Sequence, residues 1–429
     1  SGLMTLLQVF DTLAAYAPLG LLALVVFLAF IKPVAAVMSR FGWLDRLERP
    51  SYRQSHVSAV PLAGGAGIVL AVLVAGACAL HAPGTIGAIG DSLADLRDAS
   101  ATGLALGAFI VFVVALIDDR KPIRPRWRLV AQAVAATIAI VGGTYITDLG
   151  ELLWAAEVPL PVWFAVPFTV FAMCGVINAV NMIDGVDGLA GGLAFVAIGW
   201  FSLILALIAR TEPVAAALLP LAFALAGALA GFLLLNLRAP WRARAAIFMG
   251  DAGSMTLGFV LGWLAVHTTQ AFGEFGPPAV VALWILAVPL MDTISCMLRR
   301  LAHGIRLSAP DHRHLHHLLP ATGLSIRRSV VIIIAIALVM GGLGIVGWQA
   351  GVPDWAMFWA WVTLFVVYHF AALRFWATQP EDPLAPPPEL RRYPLQELRR
   401  RLGQLAGAGR LAGLDGDRGE LDSADRGAH

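Results

Sequence analysis

The 429-residue chain is short of charge. Asp, Glu, Lys and Arg make up 14% of it, against about 25% in an ordinary soluble domain. With 59% hydrophobic residues and a net charge of only +2, it reads neither as a soluble domain nor as a nucleic-acid binder. Cysteine is scarce too. Cys78, Cys174 and Cys296 lie in apolar stretches without paired spacing, which excludes a disulfide framework and leaves them as small core hydrophobes. Internal repeats are missing, and no basic region precedes the first apolar run. A cleaved signal peptide is therefore not expected.

What is abundant is uncharged length. Runs such as LGLLALVVFLAFI (19–31) and LGAFIVFVVALI (106–117) recur. A bilayer core of about 30 Å takes roughly 20 apolar residues per helix. The expected fold is an all-α, polytopic integral-membrane bundle of about eleven transmembrane helices. They fall near 12–31, 59–80, 101–117, 129–147, 161–180, 186–209, 214–235, 253–270, 278–298, 329–349 and 353–376. Residues 1–376 form the membrane domain and 377–429 a tail.

The basic residues fix an orientation. The odd-numbered connections carry 19 of them and the even-numbered ones two, Arg97 and Arg210. Basic loops stay cytoplasmic. The N-terminus is therefore expected outside and the C-terminus in the cytoplasm.

The polar motifs sort onto that same inner face. Asp118 and Asp119 end the third span, and NAVNMIDGVDG (178–188) joins the fifth and sixth. FMGDAGS (248–254) opens the eighth span, and DHRHLHH (311–317) lies in the largest inner loop. An Asp at a helix centre in lipid costs roughly 2.5–3.5 kcal/mol, whereas at a membrane mouth it stays ionised. Gly185 and Gly188 let the backbone turn and a ligand approach. The spacing of Asp184 and Asp187 predicts both carboxylates on one side of a helical turn. Hard carboxylates with asparagine oxygens suit Mg²⁺, with Mn²⁺ as the alternative, while arginine and histidine donate to phosphate. The plain alternatives are a solvated helix end for Asp118–Asp119, a capped turn for NAVNMIDGVDG and an exposed loop for the histidines.

With LIDDR (116–120), NAVNMIDGVDGL (178–189), FMGDAGSMTLGF (248–259) and PDHRHLHHL (310–318) in this order, the chain resembles the polyprenyl-phosphate N-acetylhexosamine-1-phosphate transferases. ERPSYRQSHVSAVPLAGG (48–65) is similar to that family's first inner loop. The His-x-His-His form resembles the branch that uses UDP-N-acetylglucosamine more than the one that transfers phospho-MurNAc-pentapeptide. The resemblance implies a cytoplasmic-face site in a bacterial inner membrane. There N-acetylglucosamine 1-phosphate would pass from UDP-GlcNAc to undecaprenyl phosphate, giving UMP and the first lipid-linked intermediate of a cell-surface glycan. Another UDP-N-acetyl sugar is the alternative.

Its implied site follows residue by residue. Asp251 is the principal Mg²⁺ ligand, with Asn181 the second. Asp184 and Asp187, with Asn178, hold the nucleotide end, and Phe248 stacks on uracil. Asp118 or Asp119 is the base, or positions Lys121. His314, His316, His317 and Arg313 grip the diphosphate. Gln54 stands where the family usually has lysine, so Arg53 or His56 must cover for it. Asp292, inside the ninth span, either orients a histidine or makes a structural hydrogen bond. The expected partners are the two substrates and the lipid bilayer, with a homodimer permitted. An ion-coupled transporter is the competing class, and it commonly shows repeats and mid-membrane sites.

In the tail, EDPLAPPPEL (381–390) reads as a linker. Leu395, Leu398, Leu402 and Leu405 beside Arg399–Arg401 read as a basic amphipathic helix, and 411–429 as disordered.

Overall fold

The computed structural model describes residues 2–44, 60–94, 99–151, 159–239, 242, 244–302, 304 and 313–378. Arg53, His56 and the expected tail beyond residue 378 lie outside the described residues. The chain is a bundle of helices.

The first eight helices are α1 (Gly2–Arg40), α2 (Gly64–His81), α3 (Gly84–Ala94), α4 (Ala99–Arg120), α5 (Pro125–Val141), α6 (Val162–Ile183), α7 (Leu189–Ile208) and α8 (Leu219–Asn236). They are followed by α9 (Gly250–Gln270), α10 (Ala279–Ile285), α11 (Ala287–Ala302), α12 (Leu315–Ala321), α13 (Ile326–Gln349) and α14 (Asp354–Ala377). Among the described residues eight helices are long and apolar enough to cross a membrane, and the bent pair α10–α11 makes nine if it is counted as one span. The two remaining expected spans are helical as well: α5, of 17 residues, and α9, which carries the polar GDAGS start.

The ninth span departs from its expected single helix. α10 and α11 are bent by 52° at Leu286. Pro289 explains the break: it has no N–H for the Ile285 carbonyl, and its ring crowds that same carbonyl.

α9 is the hub. It packs against α2, α4, α6 and α7, with Phe259 and Trp263 fully buried. Close approach is bought with missing side chains. A Cβ on Gly258 would sit 2.7 Å from the Ile177 Cα of α6, and one on Gly65 would collide with the Gly253 backbone. Small residues at crossings let helices in lipid gain dispersion contacts that the apolar solvent does not otherwise drive. The far end of α9 is pinned by Gln270, whose Oε1 accepts from Thr147 N (2.8 Å) and Oγ1 (2.9 Å).

Candidate active site

α4 ends in Asp118 and Asp119, and Pro122 and Pro125 turn the chain into α5. Asp118 is buried. It accepts from Ile123 N and from Arg128 Nη1 at 2.8 Å. Asp119 reaches across to α9, where its two oxygens accept from Asp251 N (2.7 Å) and Ala252 N (3.0 Å). Both are amides that the first turn of a helix leaves without internal partners. Gly250 makes this possible twice over. Its φ of +74° is left-handed, and a Cβ there would lie 2.7 Å from the Asp119 carboxylate.

Asp251 faces the opening. Its Oδ1 accepts from Asn181 Nδ2 at 2.8 Å, and its Oδ2 lies 3.5 Å from Arg128. The same Asn181 amide also donates to Ser254 Oγ at 2.9 Å, so its oxygen is turned to neither. The Asp251 side chain is 36% exposed and that of Asp118 only 4%, so of these two Arg128 partners Asp251 is the acid a ligand reaches. Asn178 points into the bundle, donating to Gln132 Oε1 and Cys174 O, both at 2.7 Å.

The segment between α6 and α7 corrects one expectation. Asp184 and Asp187 do not share a helical face, because α6 stops at Ile183 and a turn follows. Asp184 keeps close enough for its charge to act on Asp119. Asp187 turns away and is buried, accepting from Arg238 Nε at 2.8 Å and Ala245 N at 3.4 Å. Gly188 N donates to Asn236 Oδ1 at 2.6 Å, and Asn236 donates on to Ile247 O at 2.8 Å. The DGVDG turn is thereby stitched to the strand of chain leading into α9.

The histidines meet that turn from the other side. A Cβ on Gly185 would lie 2.8 Å from His316 Nε2. The His314 and His316 rings stack at 5.3 Å, and His317 lies 4.2 Å from His316. His314 and His316 are buried, whereas His317 and Arg313 are half-buried. His314 Nδ1 bonds Asp292 Oδ2 at 2.8 Å. Burial opposes charge on His314, but the Asp292 carboxylate outweighs it and raises the imidazole from 6.5 to about 10. Lys121 is exposed, and Phe248 is buried with Val60, Leu62 and Ala245.

Among the described residues no three His, Cys, Asp or Glu side chains are arranged to hold a metal. Mg²⁺ does not require such a cage. It takes one or two protein oxygens and completes its shell with water and phosphate. The accessible Asp251 carboxylate supplies one such oxygen, whereas Asn181, the expected second ligand, turns its NH2 and not its oxygen toward it. Arg128, Arg238, Gln132 and Tyr368 were not singled out from the sequence as site residues. Of these, Arg128 carried a signal, as a cation ten residues beyond Asp118 on the same face.

The family model for glycosyl transferase family 4 matches residues 101–269. The chain is similar to the undecaprenyl-phosphate alpha-N-acetylglucosaminyl 1-phosphate transferase of Escherichia coli (strain K12), 34% identical over 353 residues, 82% of this chain and 88% of the relative. The Yersinia pestis protein of the same name is 34% identical over 356 residues, 81% of this chain and 89% of its own. That of Haemophilus influenzae is 32% identical over 354 residues, covering 82% and 93%.

Proposed function

The chain belongs to glycosyl transferase family 4, and we propose that it transfers N-acetylglucosamine 1-phosphate from UDP-GlcNAc to undecaprenyl phosphate. The observation that carries this reading at the level of the site is the Asn181–Asp251–Arg128–Asp118 chain of contacts, built from four helices at one end of the bundle. The reaction needs an open, cation-binding acid flanked by an arginine where a membrane substrate meets a soluble one. It is the first lipid-linked step of a cell-surface glycan in the bacterial cytoplasmic membrane. The basic loops support placing this end, and the C-terminus, on the cytoplasmic side.

An oxygen of the lipid phosphate attacks the phosphorus attached to the sugar. A P–O bond forms there, and the P–O bond to UMP breaks. Such transfers depend on positioning and electrostatics. A phosphomonoester has a second pKa near 6, so the nucleophile is largely dianionic at neutral pH and a protein base adds little. The hydrogen bonds of Asp118 and Asp119 fit that view: they hold Arg128 and the start of α9. Arg128 offers its charge to an incoming phosphate beside Asp251. Asp251 would hold Mg²⁺, with Asn181 bonded to the same carboxylate and orienting it, and the ion would supply charge neutralisation at the diphosphate. Asp184, half-buried near Asp119, and His317 and Arg313, half-buried beside the His316 that lies against Gly185, would contact the donor.

Purified protein given UDP-GlcNAc and undecaprenyl phosphate should release UMP and form the lipid diphosphate sugar. A panel of UDP-sugars then reads donor choice. Substrate uptake into sealed vesicles without UMP release would overturn the assignment.

A further inference from the structure

α14 faces outward over most of its length, with Val366, Val367 and Phe370 exposed. Two adjacent polar residues interrupt that surface, Tyr368 and His369, and both reach α11. The Tyr368 hydroxyl donates to Asp292 Oδ1 at 2.7 Å, and His369 Nδ1 bonds Ser295 Oγ at 2.9 Å. From α11 two parallel chains run to a single turn. Asp292 accepts from Leu315 N at 2.8 Å and from His314 Nδ1 at 2.8 Å. Ser295 accepts from Arg299 Nη1 at 2.8 Å, and Arg299 Nη2 donates to Arg313 O at 2.6 Å. Three successive residues, Arg313, His314 and Leu315, are thus all held from α11. The next residue, His316, lies against Gly185 of the DGVDG turn.

Packing alone does not call for a tyrosine here. Phenylalanine would fill the same volume without an O–H that needs a partner at membrane depth. The hydroxyl is what the position adds, and it ends on the carboxylate that holds His314.

We propose that Tyr368 is a positioning residue: through Asp292 its hydroxyl fixes the 313–317 turn so that His316 and His317 meet the donor side of the site. This deepens the transferase reading and rests on it.

The test is Tyr368→Phe, which keeps the ring. In kinetics, kcat/KM for UDP-GlcNAc should fall about tenfold, the worth of one hydrogen bond to a charged group. The KM for undecaprenyl phosphate and the unfolding temperature should stay close to wild type. In an Asp292→Leu background, which has no acceptor oxygen, the same substitution should add nothing, because the two residues act as one unit. Independently of activity, amide hydrogen exchange across 313–317 should accelerate about tenfold while α13 does not change. Unchanged exchange, an additive effect in the Asp292→Leu background, or a fall in rate matched by lost thermal stability would overturn the proposal. A wild-type protein that releases no UMP refutes the transferase reading, and the exchange measurement still decides whether Tyr368 orders the turn.

Discussion

Asp119 caps the helix that carries Asp251. Its two oxygens accept from the Asp251 and Ala252 amides at 2.7 and 3.0 Å, across 132 residues of chain. The acid that a ligand reaches is therefore held from behind by a second acid. Its backbone position is set before any cation or phosphate arrives.

Asp119→Asn keeps one acceptor oxygen and leaves one of the two amides without a partner. Losing a cap of this kind costs about 1 kcal/mol, read as a lower unfolding temperature. Turnover should fall at least tenfold, and added Mg²⁺ should restore part of it because Asp251 is still present. A loss of rate indifferent to Mg²⁺ would instead make Asp119 the proton acceptor.

Asp251→Asn should nearly abolish UMP release at any Mg²⁺ concentration, since an amide is a poorer ligand and the site loses a charge. Thermal stability should change little, because Asp251 is partly exposed and its backbone contacts persist. Wild-type turnover at low Mg²⁺ would exclude Asp251 as the principal ligand.

The Asp292–His314 pair carries a pH signature. His314 is raised from 6.5 to about 10 by the carboxylate against the opposing effect of burial. A group raised on folding stabilises fully below its unfolded value and loses that contribution as pH rises. Unfolding temperature should therefore drop progressively between pH 6.5 and 10, and this slope should flatten in His314→Gln. An equal slope in the variant would assign the alkaline loss to another group.

Orientation is open to labelling. With the exposed Cys78 replaced by alanine, Thr322→Cys should react with an impermeant thiol reagent only once the cytoplasmic side is opened. Asp91→Cys should react from outside intact cells. The reverse pattern would put the acid cluster on the outer face.

The sequence carried the all-helical, polytopic character of the chain well, because apolar length is a local property; of the eleven expected spans, eight are helices long and apolar enough to cross a membrane among the described residues. It also carried the residue types of the site. What it could not carry were partners. Asp118, Asp119 and Asp187 are readable as acids, yet Arg128 becomes a partner only because the chain turns back from α4 into α5, and the α9 amides and Arg238 only when segments distant in sequence meet. The α10–α11 bend had a visible signal in Pro289, but the apolar run around it masked the break. The histidines stood in a loop of mixed charge and read as accessible. His314 and His316 are instead buried, because Asp292 draws one ring inward and the other stacks on it. Tyr368 is one of five tyrosines and gave no local sign of its role.

One stretch of chain sets a length. Gly64 N and Gly65 N donate to Phe248 O (2.8 Å) and Met249 O (3.0 Å), while Phe248 N donates to Pro61 O at 3.0 Å. This ties the entry of α2, residue for residue, to the segment that launches α9. Most connections over a protein surface accept an extra residue without consequence. Here the two paired segments work as a ruler. One residue inserted between 61 and 65 would move the α2 start out of step with Phe248–Met249, and Gly65 off its contact with Gly253. Asp251 would be displaced with it, so a change in spacing far from any acid would be felt as a change in chemistry.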